Sequence, residues 1–167
     1  MTKPDFEKNP ERILIVDDEY EICESLAEFL SDSFSEVRFT SSSQDALNYL
    51  NNESFDLIIS DLRMPQLTGN EMIALLRAKG HLTPVIFISG AASKEDVINA
   101  LRLNAADFIE KPFSNDYLHK SVLKVLELER RKRELYNSLL LNMDRQKLVE
   151  SQKKMIGLLE VSRLHKT

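Results

Sequence analysis

Five short apolar runs alternate with amphipathic stretches along the first two thirds of the chain. Arg12–Asp17 (RILIVD), Glu36–Thr40, Asp56–Ser60 (DLIIS), Pro84–Ile88 (PVIFI) and the weaker Ala106–Ile109 are compact and mostly rich in branched residues, and each reads as a strand. Pro84 falls on the first residue of its run, the position where a strand tolerates proline. Between the runs the period changes. Glu19–Ser31 sets Ile22, Leu26, Phe29 and Leu30 on one helical face. Ser43 is placed to cap a helix carrying Ala46, Leu47 and Leu50. Thr68–Lys79 reads as a helix stopped by Gly80, and Ser93 caps another whose apolar face holds Val97, Ile98 and Leu101. Runs so continuously apolar are buried on both sides, which predicts a five-stranded parallel sheet with helices on both faces.

From Phe113 the pattern turns helical and stays so. Residues 113–163 contain no proline and one glycine, Gly157, and are dominated by Leu, Lys, Glu and Arg, all good helix formers. A helix of about 50 residues runs about 75 Å at 1.5 Å per residue, so most of it is expected to project beyond the sheet domain. A projecting helix needs a partner for its apolar side chains. Val125, Leu128, Leu135 and Leu139 follow heptad-like spacing, interrupted by Lys132; Leu141, Leu148, Met155 and Leu159 follow another register. The shift near Asn142 predicts a stutter or a break between two helices. The expectation is a coiled-coil homodimer, with a folded-back helical hairpin as the alternative. The chain accordingly divides into a flexible N-terminus (1–11), an α/β domain (12–125) and a helical extension (126–167).

Charge sharpens that division. Residues 1–116 hold 10 Lys/Arg and 21 Asp/Glu, a balance of −11, whereas residues 117–167 hold 12 and 6, a balance of +6. Two parts with different jobs are implied. Cys23 is the only cysteine, so no intrachain disulfide and no Cys-based zinc site forms, and it reads as a small buried hydrophobe. The three histidines lack partners at metal-ligand spacing. The apolar runs fall far short of the roughly 20 residues that span a bilayer, and the opening MTKPDFEKNPER lacks the apolar stretch of a signal peptide. A cytoplasmic protein with no membrane partner is expected. RRKR at 130–133 reads as a solvated helix face; with no helix-turn-helix, zinc finger or aromatic-basic surface beside it, no nucleic-acid partner is expected.

In open α/β sheets ligands bind beyond the carboxyl ends of the strands. Those ends carry Asp17, Asp18 and Glu19 after the first strand, Asp61 after the third, Ser89 after the fourth, and Lys111–Pro112 after the fifth. Three carboxylates in one pocket repel unless something relieves them. A hard divalent cation such as Mg²⁺, which takes one or two carboxylates plus a phosphate oxygen, is one remedy, and the compact charge of Lys111 is another. Carboxylates, a metal and a lysine at one spot are the parts phosphoryl transfer needs. Asp61 is a candidate nucleophile, since aspartyl phosphate is an established covalent form.

ILIVDDE (13–19), DLIISDLRMPQLTG (56–69), VIFISG (85–90) and DFIEKPF (107–113) resemble, in this order and spacing, the receiver domain of bacterial response regulators, over about residues 10–125. The resemblance implies a doubly wound, flavodoxin-like fold and a role for each matching residue. Asp61 would accept a phosphoryl group from a histidine kinase or phosphotransfer protein. Asp18, Asp61 and the backbone carbonyl of Arg63 would hold Mg²⁺ directly, and Asp17 would act on it through water. Lys111 would pair with one phosphoryl oxygen. Ser89 would hydrogen-bond another and swing inward, and Phe108 would rotate into the space it leaves. Gly90 would keep the pocket open, and Lys111–Pro112 would be a cis peptide. Arg63 and Ala91 stand where the family tunes loss of the phosphoryl group; neither suits the orienting of a water, which points to a long-lived phosphorylated state, the alternative being that Arg63 screens or binds the anion.

The function so implied is a phosphorylation-controlled signalling switch whose output is protein association or dimerisation. It is not an enzyme beyond taking up its own phosphoryl group and slowly losing it. Three other readings stand beside it. The chain would be the receiver and linker of a larger regulator with a further output domain, or an Mg²⁺-dependent phosphohydrolase with an aspartate nucleophile, or a module that only dimerises. Hydrolases of the haloacid dehalogenase type carry a DxD pattern after strand one, where this chain has DDE. The complete acidic set and Lys111 count against a purely structural module.

Overall fold

All five apolar runs are strands, and every pairing between them is parallel. The computed structural model describes residues 8–164, with side chains as far as residue 156. In chain order the elements are β1 (Asn9–Val16), α1 (Tyr20–Ser31), β2 (Phe34–Thr40), α2 (Ser43–Asn52), β3 (Leu57–Asp61), α3 (Gly69–Ala78), β4 (Val85–Ser89), α4 (Lys94–Arg102), β5 (Asp107–Glu110) and α5 (Asn115–Leu164). The sheet order is β2-β1-β3-β4-β5. The chain winds outward from β1 to β2, then returns to place β3 on β1's other side, so the order reverses between β1 and β3. The crevice outside their carboxyl ends is the usual ligand position in such a sheet.

The period of two along each strand sorts the core into two layers. Ile13, Ile15, Leu57, Ile59, Ile86 and Ile88 point to one face, against Leu26 and Leu30 of α1 and Leu118 and Val122 of α5. Leu14, Val16, Ile58, Val85 and Phe87 point to the other, against α2, α3 and α4 through Leu47, Met72, Ile73 and Ala100. Both faces of β1, β3 and β4 are thus dry, which is why these strands are apolar without alternation.

Strand ends shift by one or two residues from the sequence reading at β2, β3 and β5, and four further differences bear on local structure. β1 starts at Asn9, because Asn9 donates its N–H to the Ser33 carbonyl at 2.9 Å and pairs with Phe34 across an irregularity before Arg12. Residues 9–11 therefore belong to the sheet and not to a flexible terminus, while residues 1–7 lie outside the described residues. Ser42, not Ser43, caps α2. Its backbone is extended and its hydroxyl accepts from Asp45 N–H, whereas the Ser43 hydroxyl donates to the Leu67 carbonyl at 2.9 Å. Pro84 stands just before β4 instead of within it. Finally, α5 runs through Asn142 without interruption, so neither the break nor the hairpin forms. No glycine or proline between 113 and 156 invites a stop.

Thr68 and Ser93 each form a reciprocal capping box, with Glu71 and Asp96 respectively. Gly80, at φ 84°, closes α3 as His81 N–H reaches back to the Leu76 carbonyl. The chain separates into two compact units, residues 1–126 and 127–167. Within the second, every described side chain is exposed except that of Glu129, which is half-buried. Leu159 of the second heptad stripe has its side chain outside the described residues.

Candidate functional site

The site is assembled by strand register. Val16 pairs with Ser60, so the residues that follow, Asp17 and Asp61, emerge side by side. Asp61 pairs with Ile88, and Ser89 pairs with Glu110, which brings Ser89 and Lys111 to the same edge. Backbone bonds carry the alignment past the strand ends, Leu62 N–H to the Ile88 carbonyl at 3.0 Å and Lys111 N–H to the Ser89 carbonyl at 2.9 Å. The Lys111–Pro112 peptide is cis.

Asp17 is buried with both carboxylate oxygens engaged. Oδ1 accepts from Glu19 N–H at 3.0 Å and Oδ2 from Lys111 Nζ at 2.8 Å. Lys111 Nζ also lies 3.9 Å from Asp61 Oδ2 and 4.0 Å from Glu19 Oε1. Burial pulls the Lys111 ammonium down, but the Asp17 hydrogen bond and the charges of Asp17, Asp61 and Glu19 outweigh it and raise the group above its ordinary value. Asp61 is pushed up to about 6, first by burial and then by Asp17, against the pull of Lys111 and of the Arg63 and Leu62 N–H groups. One lysine therefore serves a cluster it does not neutralise.

Asp18 is exposed, and one carboxylate oxygen from each of Asp17, Asp18 and Asp61 falls within 4.8 Å of the others. Three hard oxygen donors around one point, with an excess of negative charge, fit Mg²⁺ rather than a softer metal. Ser89 is buried, and its Oγ accepts from Ala91 N–H at 3.3 Å. Phe108 is half-buried against the α2–α3–α4 layer. A Cβ on Gly90 would meet Lys111 Cβ at 3.7 Å, an ordinary contact. The Arg63 guanidinium turns to Asp96, with Nη2 at 3.2 Å from Oδ2. Cys23 supports the site from below, donating from Sγ to the Asp17 carbonyl at 3.2 Å and lying 3.5 Å from that of Thr40. Burial pushes its thiol up to about 11, so it is an inert core residue.

Sequence reasoning overlooked Gly69. A Cβ there would stand 2.2 Å from the backbone oxygen of Asp61 and 3.1 Å from Leu62 Cα, while Gly69 N–H bonds to the Leu62 carbonyl at 2.9 Å. The β3–α3 loop folds back onto the backbone of the candidate nucleophile, and only glycine permits the approach. A signal existed in the glycine two residues after Leu67, one place past the Thr68 cap. Gly69→Ala is expected to destabilise the fold by about 2–3 kcal/mol, because the methyl group meets backbone rather than a mobile side chain. Chemical denaturation measures this, and a loss under half a kcal/mol would show that the loop moves aside at little cost.

Known proteins resemble this chain in sequence and in fold. Residues 13–123 match the response regulator receiver domain. Among curated relatives, the transcriptional regulatory protein DltR of Streptococcus agalactiae is 34% identical over 107 residues, covering 64% of this chain and 48% of that protein. The regulatory protein AtoC of Escherichia coli is 32% identical over 124 residues, covering 74% of this chain and 27% of its own length. The chain thus spans between a quarter and a half of the length of these two relatives. Among solved structures, a CheY-like receiver domain protein of Methanospirillum hungatei superposes with a TM-score of 0.70 at 26% identity, over 74% of this chain and 99% of that one. NtrX of Brucella abortus, crystallised with ADP, gives 0.69 at 33% identity over 76% and 29%.

Proposed function

We infer function from the premise that the chain belongs to the response regulator receiver domain family. Asp61 is the phosphoacceptor of a signalling switch, charged by a histidine kinase or phosphotransfer protein. The observation that carries this reading is the convergence of Asp17, Asp18, Asp61 and Lys111, with Asp61 raised to about 6. At neutral pH such a carboxylate is still largely ionised and therefore nucleophilic. Its oxygen attacks the phosphorus of the donor's phosphohistidine; the P–N bond breaks, a P–O bond forms, and the imidazole leaves with the electron pair and takes up a proton.

Asp18, Asp61 and the Arg63 carbonyl would hold Mg²⁺, with Asp17 acting through water. The ion supplies neutralisation of the phosphoryl oxygens and of the acidic cluster. Lys111 turns from Asp17 toward a phosphoryl oxygen, from a starting distance of 3.9 Å to Asp61. Ser89 Oγ can donate its proton to another, and Phe108, half-buried and paired with Phe87 two residues before Ser89, can follow that movement. The output is protein association, through the face that changes or through the helical extension as a homodimer. Incubation with acetyl phosphate and Mg²⁺ tests the reading: one hydroxylamine-labile phosphoryl group per chain is expected, and no incorporation would overturn it.

The metal ligands make a second, graded expectation. Asp18 is exposed and open to a metal, whereas both oxygens of Asp17 are already committed to Lys111 and Glu19 N–H. Asp18→Ala is expected to weaken Mg²⁺ binding by about a hundredfold and Asp17→Ala by about tenfold, as for outer-shell groups. Calorimetric titration separates the two, and equal losses would show that the division of roles does not hold in this chain.

A further inference from the structure

Two residues after the candidate phosphoacceptor, the Arg63 side chain is neither free in solvent nor directed at Asp61. Its Nη2 lies 3.2 Å from Asp96 Oδ2, in the first turn of α4. That oxygen is an acceptor fixed independently of Arg63, since it also takes Ser93 N–H and Ser93 Oγ, both at 2.8 Å. The Asp96 carbonyl receives Asn70 Nδ2 at 3.2 Å, from the first turn of α3. Asp96 is thus the point where the loop following Asp61 and the loop following Ser89 are tied together. The Lys111 charge and the Arg63 backbone N–H act on the Asp61 carboxylate, while the Arg63 guanidinium is engaged by Asp96. In this state the second cation of the site is parked.

We propose that Asp96 is a positioning residue that withholds Arg63 from Asp61, and that a phosphoryl group on Asp61 takes Arg63 from it and so unties α4 from the β3–α3 loop. The proposal rests on Asp61 being the phosphoacceptor. A phosphoryl group brings close to two negative charges and three strong acceptor oxygens, and the planar guanidinium is built to bind such a group with two parallel donors. Against it stands one ion pair whose Arg63 side chain is 59% exposed. Exposed pairs of this kind are weak and give way to a better-placed anion. Coupling is reciprocal: if phosphorylation breaks the tie, breaking the tie favours the phosphorylated form. Asp96→Asn is the suitable variant, because the amide oxygen can still accept from Ser93 while the charge that holds Arg63 is gone.

The test is a double-mutant cycle on the full chain, reading the affinity for beryllofluoride with Mg²⁺ by calorimetry. Asp96→Asn alone is expected to tighten binding about two- to fivefold, the range that a lost exposed pair permits. Arg63→Gln alone is expected to weaken it by a similar factor. In the Arg63→Gln background, Asp96→Asn is expected to change nothing, a dependence that a merely structural cap would not show. Amide exchange adds a second readout: the α4 first turn of the wild type should lose protection on binding, and that of Asp96→Asn should be less protected beforehand. An Asp96→Asn effect that persists without Arg63, or none with it, overturns the proposal while leaving Asp61 as the acceptor. A wild type that does not bind the mimic overturns the acceptor reading and the proposal together.

Discussion

Asp61→Asn is expected to abolish phosphoryl uptake from acetyl phosphate and Mg²⁺, with intact-mass measurement showing the wild-type adduct and none in the variant. The amide has no anionic oxygen to attack phosphorus, and it removes one of the three carboxylates that could hold a metal ion. Loss of fold does not explain such a result, because the same variant should be more stable than the wild type in the absence of metal. The Asp61 carboxyl sits at about 6 in the folded chain against an ordinary 3.8. An acid raised in this way penalises the folded state wherever it is ionised. The penalty is full above pH 6, shrinks between 6 and 4, and vanishes below. Asparagine removes it. Moving the carboxyl from 3.8 to about 6 is nominally worth about 3 kcal/mol, and screening by water at the edge of the pocket reduces this to about 1–2 kcal/mol. Thermal unfolding should therefore show a higher midpoint for the variant at pH 7.5 and a converging pair near pH 4. An adduct of unchanged yield in Asp61→Asn would move the acceptor to another residue. A variant less stable than wild type at pH 7.5 would show that Lys111 neutralises Asp61 after all.

The sheet and most of the site are legible in the chain because they rest on short-range rules. Ile13, Leu14, Ile15 and Val16 cannot all be buried on one side, so a doubly covered strand follows from the run itself. Asp17, Asp61, Ser89 and Lys111 each stand immediately beyond or at the end of such a run, and parallel pairing then makes their convergence a matter of register. What sequence does not carry is the choice among neighbours of like chemistry. Ser42 and Ser43 are equivalent as caps until the Leu67 carbonyl takes the Ser43 hydroxyl. Arg63 has an acidic partner 33 positions away, a pairing visible only once two loops are adjacent. The contact of Gly69 with Asp61 is a distance between backbones, which no side-chain pattern encodes. At Asn142 the change of apolar register points to a break, yet helix propensity on both sides is high and the backbone simply continues.

That continuity bears on the helical extension, where a dimer is the expected result. Each residue turns a helix by about 100°, so Leu128, Leu135 and Leu139 fall within an arc of about 40°. Tyr136 and Met143 flank them. Leu141, Leu148 and Met155 form an equally narrow stripe on nearly the opposite side. A straight partner helix covers one stripe and not both, so only the first is counted. Its three leucines are 52%, 62% and 54% exposed, and Tyr136 and Met143 are 62% and 54% exposed. Fully burying such a side chain gives roughly 1.5–3 kcal/mol, and about half of each remains to be covered. Ten side chains from two copies then contribute about 8–15 kcal/mol, against an association cost of at least about 4 kcal/mol. A micromolar dimer, near −8 kcal/mol, lies within what remains. Light scattering of the full chain at tens of micromolar should give twice the monomer mass, and a chain ending after Glu127, which keeps the core residues Val125 and Leu126, should be monomeric. Glutamate at both Leu135 and Leu139 should dissolve the dimer, while glutamate at Leu148 should leave it intact. A full chain that scatters as a monomer would refute the dimer outright, and a dimer broken only at Leu148 would place the seam on the opposite stripe.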